Sequence, residues 1–208
     1  MDSSWASEHL QTIRTLMERA ALYRRALAPI MLLVGVIGSV AAALPIATGK
    51  FNTNQSFAIL WLATAAVSVV ATYLLVRRQS LKDQEPFWSP PTKRVSQALV
   101  PGFLAGGMAG ALLAIAGDQL PRVSWLLAIG WVITYGCALH AAGFFMERGI
   151  KLFGITFVSA ASVLLVLAVF IPAFQTTKAA HVIMGVCFGA THLFYGAYLH
   201  FTERRSRV

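Results

Sequence analysis

Apolar residues run through the chain in six long windows, 26–48, 56–76, 98–117, 123–146, 153–174 and 179–201, parted by short polar stops. Each window approaches or exceeds the roughly 20 residues that a helix needs to cross a bilayer at about 1.5 Å per residue. None keeps the two-residue alternation of a barrel strand; the windows stay apolar on every face. A segment of that kind must satisfy each backbone amide within itself, which leaves the helix as the spanning structure. The pattern predicts an all-α protein, a six-helix transmembrane bundle over 26–201. Ahead of it Leu10, Ile13, Met17 and Ala20 recur at steps of three or four, with Arg14, Glu18, Arg24 and Arg25 at other positions. That spacing predicts an amphipathic cytoplasmic helix within 1–25, lying in the headgroup plane or docked under the bundle. Residues 202–208 read as a basic cytoplasmic tail.

Composition agrees with that class: 57% of residues are hydrophobic, 12% are charged and the mean hydropathy is +0.67, values that exclude a water-soluble domain. The net charge of +9 would suggest nucleic acid if its cations shared a soluble face. They sort by side of the membrane instead. Of the 17 lysines and arginines, only Lys50, Arg122 and Lys178 fall in one set of loops. The positive-inside rule therefore puts both termini in the cytoplasm of an inner (plasma) membrane protein. The expected partner of the basic surface is the lipid bilayer, not nucleic acid. The small residues at 39–43 look like a signal-peptidase site, but the long, partly acidic segment before them and the length of the first window predict a retained span. Cys137 and Cys187 both fall inside windows and read as packing residues.

Small residues predict how the helices meet. Gly102, Gly106, Gly110 and Ala114 recur at four-residue steps in the third window, Gly35, Ser39 and Ala43 in the first, and Gly185 and Gly189 in the sixth. Such stripes let backbones approach closely, within one bundle or against a second copy of the chain. Leu113 is expected on the lipid side of the third window. Basic ends after the second, fourth and sixth windows divide the chain into three hairpins. Trp61 and Trp131 each stand seventeen residues before such an end, at Arg78 and Arg148, as a tandem repeat would place them; the third hairpin has Cys187 there.

The chemistry on offer is narrow. None of the eight acidic residues lies within a window, so a carboxylate at depth, the usual requirement of proton- and sodium-coupled carriers, is missing. No Walker A, H-E-x-x-H or G-x-S-x-G pattern is present, and no catalytic or metal-ligating residue is predicted. Histidine remains. His140 and His192 lie inside windows four and six, and two neutral imidazoles could hold a haem or face a quinone. Counted from the basic helix ends they differ in depth by about 6 Å at 1.5 Å per residue, which a shared axial pair would have to absorb. The competing expectation for His192 is an interhelical hydrogen bond to Thr134, Tyr135, Thr191 or Tyr195. Between windows two and three, 85–94 gathers Phe87, Trp88, Pro90, Pro91, Lys93 and Arg94, which read as a stiff interface anchor or a partner-binding loop.

The stretches IRTLMERA (13–20), SPPTKR leading into GFLAGG (102–107), ITYG through GFF in window four, and GVCFGATHLFYG (185–196) resemble a group of small bacterial membrane proteins with no assigned activity, often linked to PadR-type repressor genes. The resemblance implies six helices and no mechanism. It places His192 at a Gly-Leu-His element of that group, here Gly189-Ala190-Thr191-His192, and gives His140 no counterpart. The expected function is that of a non-enzymatic interaction or accessory subunit, with a membrane-protein partner or a second copy of the chain. The alternatives are a haem-binding or quinone-facing redox protein and a carrier for a lipophilic small molecule.

Overall fold

A computed structural model of the chain describes residues 27–84, 86–146 and 148–205. The amphipathic helix expected within 1–25 and the last residues of the basic tail lie outside them. The described residues form helices and turns with no strand: α1 (Leu27–Thr48), α2 (Asn54–Lys82), α3 (Pro90–Ala116), α4 (Ser124–Ala142), α5 (Arg148–Phe170), α6 (Thr177–Met184) and α7 (Thr191–Arg205). A π-helical turn, Gly185–Ala190, joins α6 to α7, so the two make one span. Among the described residues six helices are long and apolar enough to cross a membrane, and the protein is a multi-pass membrane protein.

Hydropathy marks the apolar middle of a helix and misses its polar ends. α2 continues past its window to Lys82, and α3 starts eight residues before its window. Thr53 caps α2 in a reciprocal pair with Ser56, and Pro90 opens α3 where a missing N–H costs nothing. In the fourth window the opposite holds. α4 stops at Ala142, and the apolar residues after it form a tight turn in which the Phe145 amide donates to the Ala142 carbonyl at 2.9 Å.

α4 stands at the centre, packed on α3, α5 and α6, while α2 covers α3 and α1 lies along the sixth span. The α4–α5 contact is made by two glycines. A methyl group on Gly154 would lie 2.5 Å from the His140 amide nitrogen and 2.7 Å from the Gly136 carbonyl. The stripe on α3 faces inward: Gly102 meets Ala138, Gly106 and Gly110 meet Trp131, and the Ala114 carbonyl accepts from Gln55 at 2.9 Å. Gly185 meets Ala42 and Gly189 meets Ser39 of α1. Ala43 is exposed, and α1 makes its close approach with Gly35, Gly38, Ser39 and Ala42 instead.

Two expectations are corrected. Leu113 is buried, with 4% of its surface exposed, because it stands seven residues after Gly106 and so two turns along the same packed face; Leu112 and Ile115 look outward. Cys137 is exposed on the outer surface of α4, whereas Cys187 is buried. At the end of the bundle that carries Lys50, Arg122 and Lys178, side chains stitch the loops. Asn54 donates to the Leu120 carbonyl at 2.6 Å and accepts from the Ser124 amide at 3.1 Å, and Ser124 pairs with Thr177 at 2.9 Å.

Candidate functional site

His192 is fully buried, and the π turn before it explains its contacts. One extra residue in that turn brings the Cys187 carbonyl within 3.1 Å of His192 Nδ1, five residues on. A carbonyl only accepts, so Nδ1 carries the proton and Nε2 is left to accept from the Tyr135 hydroxyl at 2.8 Å. Of the four hydroxyls expected as partners of His192, Tyr135 is the one that meets it. Phe188 lies nearly parallel to the imidazole at 6.0 Å, and Phe153 and Phe157 meet it edge-on at 5.3 Å and 5.5 Å. Both nitrogens are spent and the ring is walled by aromatics. These residues do not fit a haem, whose iron needs a bare imidazole nitrogen and an open approach.

A second enclosed imidazole lies toward the far end of the same span. His181 donates from Nε2 to the Phe51 carbonyl at 2.9 Å and accepts the Trp61 indole N–H on Nδ1 at 3.1 Å, with the Phe57 ring edge-on at 4.9 Å. Phe51 has a φ of 64°, a left-handed conformation costly for a bulky residue, and the His181 bond holds it there. Nothing local in the sequence marks this cluster, since its partners are 120 and 130 residues from His181.

His140 belongs to neither cluster. It follows Tyr135 by five residues on α4, about 140° around the helix, and so faces away from His192. The two-histidine site is not assembled. His140 instead lines a lateral groove of about 540 Å³ between α3, α4 and α5, together with Ala98, Cys137, Phe144, Ile155 and Ser159. Its Nδ1 is 3.4 Å from the Lys151 carbonyl, a long and weak contact. The Lys151 ammonium lies 3.9 Å from the centre of the Phe144 ring.

The polar segment 85–94 is only half a loop. Pro90, Pro91, Lys93 and Arg94 are in the first turns of α3, and the Ser89 hydroxyl pairs with that of Thr92 at 2.9 Å. Phe87 packs edge-on against Tyr73 of α2 at 5.2 Å and stacks on Trp88 at 6.0 Å, leaving Trp88 60% exposed. A helical Pro90-Pro91 cannot extend as a polyproline ligand would. No group of three or more His, Cys, Asp or Glu side chains among the described residues could hold a metal ion. No protein-family model, curated protein or solved structure matches the chain.

Proposed function

We propose that the protein is a non-enzymatic accessory or interaction subunit of a bacterial inner membrane, with both termini in the cytoplasm. The observation that supports this reading is the closed interior. His192, His181, Tyr135 and Trp61 use their polar atoms on one another or on backbone carbonyls. No Asp or Glu falls within a described span, so no carboxylate at depth is there to move a proton. A bundle whose buried polar atoms are paired works through its surfaces, and Trp88 at the basic end is an exposed amphipathic aromatic of the kind that anchors interfaces.

A photoreactive residue in place of Trp88, irradiated in native membranes, is expected to give one discrete protein adduct. The same residue in place of Ile115, 82% exposed on α3, is expected to give lipid adducts alone. Lipid adducts alone at both positions would remove the interaction reading. A Soret band in the purified protein would replace it with the redox alternative.

A further inference from the structure

The groove beside His140 differs in its polar groups from the helix hydroxyls of α2 and α5 that pair with their own backbone. On α5, Thr156 and Ser162 return their hydroxyls to carbonyls four residues back, at 3.1 Å and 2.9 Å. Thr64 and Ser68 do the same on α2, both at 2.8 Å. Ser159, which lines the groove, makes no hydrogen bond among the described residues, and His140 Nε2 has no partner there either. Polar atoms left bare toward hydrocarbon are costly, so a groove that carries them favours a ligand with a polar end over a purely apolar one.

Charge and shape narrow the ligand. Lys151 holds its ammonium over Phe144, a groove residue at the basic end. Arg94 is exposed on α3 and precedes Ala98 by four residues, which puts the two on one helix face with the guanidinium nearer the basic end. Two cations thus flank one mouth. The volume of about 540 Å³ lies within the range of roughly 300–1,000 Å³ typical of small-molecule sites. From Lys151 to Ser159 the wall runs about 12 Å at 1.5 Å per residue.

We infer that this groove is a binding site for an anionic phospholipid. One acyl chain lies between α3 and α5, past Ile155. The phosphate rests between Arg94 and Lys151, a headgroup hydroxyl donates to His140 Nε2, and the chain runs down the wall past Ser159. A neutral lipophile leaves both cations unmet, and a zwitterionic lipid sets its own ammonium beside them; basic pockets between spanning helices take phosphate headgroups for this reason. The site stands whether or not the protein has a protein partner.

The test adds phosphatidylglycerol or phosphatidylcholine with identical acyl chains to the detergent-purified full chain and reads Tm. Phosphatidylglycerol is expected to raise Tm by about 5 °C more than phosphatidylcholine, as preferential binding to the folded state does. Arg94→Gln with Lys151→Gln is expected to abolish that difference, and Arg77→Gln with Arg78→Gln to keep it. Equal shifts from the two lipids in the unsubstituted protein would overturn the site without reference to any variant. So would an equal shift from glycerol phosphate alone, which lacks the chain, or a larger one from a neutral quinone. Native mass spectrometry is expected to find phosphatidylglycerol retained on the unsubstituted protein and at least threefold less on the double glutamine variant; equal retention on both would count against the assignment.

Discussion

Replacing the His192 imidazole with an alkyl group strands two partners at once, the Tyr135 hydroxyl and the Cys187 carbonyl. Interhelical hydrogen bonds in membranes average about 0.6 kcal/mol and reach about 1.7 kcal/mol, because the unfolded chain in lipid also finds partners. An orphaned buried group adds to the loss, so His192→Leu is expected to destabilise by about 1–2 kcal/mol. Tyr135→Phe removes one of the orphans. The double variant is therefore expected to be more stable than the sum of the two single losses allows, by about 1 kcal/mol. Strictly additive losses in reversible unfolding from detergent would mean the 2.8 Å contact carries no energy. That His192 needed a partner was legible in the sequence from its depth alone. Which nitrogen would do what was not, because the π turn that sets Nδ1 on the Cys187 carbonyl has no signature in one sequence. His181 shows the same limit: its burial depends on Phe51 and Trp61, brought in from a different helix pair.

Helices were the most legible level, and their ends the least. Six apolar windows became six spans, yet Pro90 to Arg94 joined α3 because a proline at a helix start reads like a proline in a loop. The stripe of Gly102, Gly106, Gly110 and Ala114 could be seen at a fixed spacing on one segment. The tighter crossing could not, since Gly136 and Gly154 are single glycines on two helices and form a contact only in the fold. What faces each glycine decides its tolerance. At Gly154 a methyl group meets backbone, so Gly154→Ala must push α4 and α5 apart and is expected to abolish most folded yield. At Gly106 it meets the edge of the Trp131 ring at 3.2 Å, which can yield by a few tenths of an ångström, so Gly106→Ala is expected to be mild. At Gly107 nothing lies within 4 Å, and Gly107→Ala is expected to be neutral or to gain up to about 1 kcal/mol from helix propensity. Yield and monodispersity by size-exclusion chromatography check the order. Equal tolerance at Gly107 and Gly154 would mean that α4 and α5 do not cross there.

Orientation is a property of the whole molecule, since no single helix knows which way it points. The six spans among the described residues put the start of α1 and the end of α7 on one side, and the helix ends divide sharply in charge: Lys50, Arg122 and Lys178 lie at one end of the bundle and Arg77, Arg78, Lys82, Lys93, Arg94 and Lys151 at the opposite end. Translocating the richer side would oppose the membrane potential and the anionic inner leaflet together, at about 1 kcal/mol per cation near the surface. The side bearing Trp88 is therefore expected in the cytoplasm. Ser89 is a poor place for a reporter because it is buried and paired with Thr92. Pro86 and Lys50 are both exposed and stand at opposite ends, so cysteines there, in a chain with Cys137 and Cys187 replaced, make the comparison. An impermeant maleimide applied to intact cells, with the outer membrane made permeable where there is one, is expected to label Lys50→Cys at once. Pro86→Cys is expected to react only after the inner membrane is opened. The reverse pattern would invert the bundle and move Trp88, Arg94 and Lys151 to the outer side. Equal labelling of both sites in intact cells would mean a mixture of orientations, and the charge division would then not be what sets the topology.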